Sequence, residues 1–162
     1  MFLLKDNRPN TLGDFPVVIT RDFFASTVFR MNSVNTTTFI LLLAQKDPLS
    51  FVSGQPVALA SVLREYNRSE FHHLFPRAFL GRQGGVPADA ENLLVNFCFI
   101  SKADNVILGG VAPSVYRGRM PADVQDILRR AVCPESLFMD DYRKFMKERA
   151  ELLERAVAEV LQ

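Results

Sequence analysis

Apolar positions change their spacing twice along the chain. Early on they recur at helical intervals, and the spacing predicts a helix over about 22–31 and a clearer one over 35–45. In the second, three threonines lead into FILLLAQ before Asp47-Pro48 stops it. A further helix is expected over 57–66, where Leu59, Val62, Leu63 and Tyr66 fall at i, i+3, i+4 and i+7. The middle then loses this period. SEFHHLFP reads as a short strand ending at Pro76, because proline has no N–H to continue a ladder. GRQGGVPADA reads as a turn, and LLVNFCFI, at 93–100, is an unbroken apolar run of buried-strand length. Ser101 is placed to cap a short helix through Asp104 and Asn105 that ends at Gly109-Gly110.

Helical spacing returns near the end. Pro121 stands where a helix could begin, and Val124, Ile127, Leu128 and Ala131 form a stripe up to Cys133-Pro134. A long amphipathic helix is expected over 139–161. Tyr142, Phe145, Met146, Leu152, Leu153, Ala156, Val157 and Val160 form its apolar side, and Lys, Arg and Glu fill most of the other. Packing on its own domain is the first expectation for this face, and a dimer seam or docking surface is the alternative.

These elements predict an α+β fold in one domain, 1–162. Residues 1–16 stand apart as a linker remnant or irregular cover, 17–66 as a helical cover, 67–120 as a strand, loop, strand and helix core, and 121–162 as closing helices. Composition allows this. At 162 residues and 48% apolar content, such a chain buries roughly 70% of its unfolded surface, so it needs no metal or disulfide to hold a core. Lys and Arg total 19 against 18 for Asp and Glu, so any polyanion site has to be a local patch. Cys98 and Cys133 lie in apolar runs without zinc-ligand spacing and read as buried, reduced thiols of a cytoplasmic protein. The longest apolar run, FILLLA, falls far short of the roughly 20 residues of a membrane span. MFLLKDNRP is too short in apolar residues for a signal peptide, and 1–16 contains no glycine-rich phosphate loop.

Candidate chemistry centres on FHHLFPRAFL, which holds the chain's only two histidines. Imidazole takes a proton near neutral pH and is a natural base for water in phosphodiester hydrolysis. That reaction also needs a cation to offset charge on the phosphorane and leaving oxygen. If the two strands pair and the helix folds across them, His72-His73 comes near the face holding Asn105. An imidazole nitrogen and an amide oxygen could then share one cation, leaving its other positions to water and phosphate.

HHLFPRAFL, NLLVNFCFISKADN and GGVAPSVY together resemble the HNH nuclease domain at the C-terminal end of GmrSD-type restriction proteins, most closely between Tyr66 and Tyr116. The resemblance implies a ββα-metal core within a helical domain. It implies His72 and Asn105 as ligands of a divalent cation, Mg2+ or Mn2+, and His73 as the general base. Asn96 would hold the loop before the second strand through bonds to backbone. Arg77, Arg82, Tyr116 and Arg117 are the expected DNA contacts, with Arg64, Arg68 and Arg119 adding charge. Asp104 competes with Asn105 for the metal, and Asn92 with Asn96. Both assigned ligands are neutral where many relatives use Asp and His, so weak metal binding is expected, strengthened by the DNA phosphate.

The implied activity is a DNA endonuclease, nicking or cleaving, acting in bacterial anti-phage defence and holding DNA through phosphate contacts with little intrinsic sequence specificity. A nucleotide-using N-terminal sensor, found in such proteins and absent from this sequence, is the implied partner. No membrane is expected to take part. The alternatives are a catalytically degenerate HNH-fold module that binds DNA or protein, and a helical interaction module.

Overall fold

A computed structural model describes residues 19–65, 71–83, 86 and 89–161 of the chain. The expectation for 1–16 lies outside them, as do Arg68 and the first two residues of SEFHHLFP. The described residues form a mostly helical arrangement around one two-stranded antiparallel sheet.

Helix α1, Arg21–Ser26, is shorter than the apolar spacing suggests. The chain leaves it at Thr27, and Val28 forms an isolated antiparallel bridge with Leu93. Phe29 N–H donates to Asn92 O and Leu94 N–H to Thr27 O, so these backbone groups are satisfied across the fold rather than along a helix. Helix α2, Val34–Ala44, begins as expected, with the Ser33 hydroxyl accepting from Thr36 N–H. It buries Phe39, Ile40, Leu42 and Leu43. Helix α3 spans Leu59–Glu65.

Strand β1, Phe71–His73, pairs with β2, Phe97–Phe99. Phe71 faces Phe99, His72 faces Cys98 and His73 faces Phe97. Both strands are shorter than the runs that announced them. After His73 the chain bends and enters α4, Arg77–Leu80, a turn of helix ahead of the expected turn at 81–90. Leu94–Asn96 is a 3-10 turn rather than strand, so Asn96 sits immediately ahead of β2. Helix α5, Lys102–Leu108, packs on β1. It is followed by α6, Pro113–Tyr116, and by α7, Gln125–Arg130, which starts four residues beyond Pro121.

The last helix, α8, spans Tyr142–Val160. It is separated from a 3-10 turn at Glu135–Met139 by Asp140, whose φ of +58° breaks the run. Asp141 caps α8 by accepting from Lys144 N–H. Helices α1 and α8 pack against each other and both touch the Leu94–Asn96 turn, which holds the approach to β2 between them. The buried apolar residues form one continuous cluster, with Phe29 stacked on Phe97 at 4.0 Å and Phe75 against Phe145 at 4.9 Å. No helix among the described residues is long and apolar enough to cross a membrane.

Candidate active site

β1 ends at His73, three residues before the expected Pro76, because the facing Leu94–Asn96 segment is a 3-10 turn, and a side chain takes over. Leu74 N–H still bonds the Asn96 carbonyl, at 2.8 Å. Phe75 N–H then donates to Asn96 Oδ1 at 2.9 Å, and Asn96 Nδ2 returns a bond to Phe75 O at 3.1 Å. The same nitrogen donates to Glu91 O at 3.0 Å. One fully buried amide thus supplies the rung that backbone cannot and ties the segment after the histidines to the approach of β2. The Tyr116 hydroxyl completes the set by donating to Leu74 O at 2.8 Å.

The histidines sit at the pinned end of β1. Both are half-buried, and as strand neighbours they project to opposite faces. His72 lies on the face of Cys98. His73 packs on Phe97 with ring centroids 4.4 Å apart, and its Nε2 is shielded from solvent.

Helix α5 positions Asn105. Ser101 caps it by accepting from Asp104 N–H, and Gly109, at φ +72°, ends it by donating to Asn105 O. Asn105 is half-buried on the helix that packs on β1, and its side-chain amide makes no hydrogen bond among the described residues. Asp104 is committed elsewhere, accepting from the Ser50 hydroxyl at 2.7 Å. Asn92 contributes backbone, not its amide, to the bond with Phe29. Among the described residues no three His, Cys, Asp or Glu side chains gather as a metal-binding group. The two expected ligands, an imidazole and an amide, are both neutral, so a cation held by them would need water and phosphate to fill its shell.

The expected DNA contacts divide. Arg77 is 77% exposed and its Nε lies 3.3 Å from Glu91, which leaves the guanidinium at the surface beside the Asn96 loop. Arg82 is exposed and donates to Gly110 O at the end of α5. Tyr116 is only 2% exposed, so it cannot touch a sugar; it belongs to the core because its hydroxyl is spent on Leu74. Arg117 is also withdrawn, since its guanidinium donates to Pro121 O and Ala122 O and lies over the Phe138 ring. Arg119 is exposed and donates to Ile107 O and Leu108 O, closing the α5 carbonyl end. Arg64 is exposed on α3.

Arg149 escaped notice in the sequence. It is fully buried on the inner side of α8 and donates to Val95 O, Ala131 O and Val132 O. Its spacing, four after Phe145 and four before Leu153, puts it on the apolar stripe, and that was the available signal. Its charge lies near the two thiols. A hydrogen bond with Cys133, aided by the Arg149 field, lowers the Cys98 pKa, whereas burial raises that of Cys133. A cleft of about 950 Å3 between α1 and α8 is lined by residues such as Arg21, Met146 and Lys147 and contains neither histidine.

Compared with known protein families, curated proteins and solved structures, the chain matches none.

Proposed function

We propose that the chain is a metal-dependent HNH-type DNA endonuclease domain, with β1, β2 and α5 as a ββα-metal core, serving as the cytoplasmic effector of a bacterial anti-phage system. The observation that carries this reading is Asn96, whose buried amide fixes the bend directly after the histidines, while α5, the helix of Asn105, packs on β1. His73 would take the proton from water as the water oxygen attacks the phosphorus in line. His72 and Asn105 would hold Mg2+ or Mn2+. A divalent cation bound there would offset the charge that develops on the phosphate. Arg77, exposed beside this bend, is suited to a phosphate oxygen. A nucleotide-using sensor would be supplied by another domain or subunit.

Nicking of supercoiled plasmid with Mg2+ or Mn2+ tests the reading. His73→Ala should slow nicking by about a hundredfold or more, the usual contribution of a positioned base. Plasmid left equally intact by wild type and variant would defeat the enzyme assignment. The shielded Nε2 favours one second reading, a degenerate HNH-fold module that binds DNA without cutting.

A further inference from the structure

The inner side of α5 carries Asn105 and the buried Leu108; its outer side does something less usual. Val106 is 71% exposed and Ile107 49% exposed, two branched apolar side chains together on a seven-residue helix. Lys102 stands exposed at the start of the same helix. At its other end, Arg82 and Arg119 converge on the carbonyls of Gly110, Ile107 and Leu108. Among the described residues these guanidiniums bond carbonyls and no carboxylate, so their charge is not cancelled there, and each keeps further N–H donors for a ligand. The result is a small apolar ridge bordered at both ends by positive charge, with Val106 next in sequence to Asn105.

Resting on the nuclease reading, we infer that the outer face of α5 seats duplex DNA, with Val106 and Ile107 wedged against base steps and Lys102, Arg82 and Arg119 on flanking phosphates. The chemistry matches on both counts. Phosphates meet uncompensated cations, and an apolar wedge partly unstacks bases without reading their identity. The wedge gives the ridge an occupant whose backbone charge fits its border. It would also deform the duplex one residue from the candidate metal ligand Asn105.

The test uses the whole chain in EDTA, with a short duplex carrying 2-aminopurine and a fluorescent end label. Wild type should brighten the 2-aminopurine on binding. The double variant Val106→Ser, Ile107→Ser should bind about tenfold more weakly, lose the brightening and keep the salt dependence of binding. Both side chains are exposed, so an unchanged thermal midpoint checks the fold, and leucine at both positions should preserve the brightening. Lys102→Gln with Arg82→Gln should instead brighten at saturation and lower the slope of log affinity against log salt by about two. A serine variant that binds and brightens like wild type overturns the inference. Wild type that brightens the duplex yet never nicks plasmid supports this surface while removing the nuclease assignment.

Discussion

Replacing Asn96 by leucine isolates what its amide does, because leucine has nearly the same volume and no polar atom. Three bonds disappear: Phe75 N–H to Oδ1, and Nδ2 to Phe75 O and to Glu91 O. The first two are buried, and their backbone partners have no water to turn to. Each buried group left without its bond costs about 1 to 3 kcal/mol, and the partly buried Glu91 carbonyl adds less, giving about 3 to 5 kcal/mol in all. For a domain of this size, 1 kcal/mol moves the unfolding midpoint by about 2 to 4 °C, so a fall of roughly 6 to 20 °C is expected. Urea unfolding followed by circular dichroism gives the free energy directly, with an unchanged m-value showing that only stability moved. Below the lowered midpoint the variant should still lose nicking, because the bend after His73 is no longer held. A loss under 1 kcal/mol would refute the argument that this amide replaces a ladder rung.

Tyr116→Phe should cost about 1 kcal/mol through the lost bond to Leu74 O and leave DNA affinity unchanged; weaker binding at equal stability would return the residue to the interface. Arg149→Lys keeps the charge, but a single ammonium cannot span Val95 on one side and the Ala131-Val132 turn on the other. A destabilisation of about 2 to 4 kcal/mol is expected, and resistance to proteolysis equal to wild type would count against the clamp. Burial, then the nearby Glu91 charge, raises the Tyr142 pKa, and burial raises that of Tyr116. Raised folded values mean that this stabilisation is complete below about pH 10 and is lost as pH climbs beyond it. Tyr142→Phe, which gives up the bond to Ala90 O, should be less stable at neutral pH but decline less steeply in alkali; parallel pH profiles would contradict this.

The parts of the fold that could be read from the chain are those decided locally. Helix α2 has its serine cap and apolar run in one stretch, and α8 has a long stripe, so both emerged close to their observed limits. Helix α1 did not, because Val28 and Phe29 satisfy their backbone against Leu93 and Asn92, a partner no local window contains. The run LLVNFCFI had strand length and composition, yet the Asn96 amide is bonded across to Phe75 and the backbone before it coils into a 3-10 turn. In the candidate site, the role of Asn96 in tying down backbone ahead of β2 was legible. The tyrosine and arginine assignments were not, since Tyr116 and Arg117 turn on whether a polar tip points inward to a particular carbonyl. Arg149 shows the same limit from the other side: a charged residue on an apolar stripe is buried only because three carbonyls wait there.

The Arg149 clamp also bears on the order in which the molecule can assemble. Its guanidinium meets Val95 O across 54 residues of chain, so the approach to β2 is finished by a group made much later in synthesis. Local segments such as α5 can form early at little entropic cost, while this closure has to wait for α8 to arrive. A nascent polypeptide that has passed Asn105 already holds every proposed catalytic side chain, but not the bolt that fixes their frame. Maturation of the site is thereby delayed until the last long helix has been translated and docked.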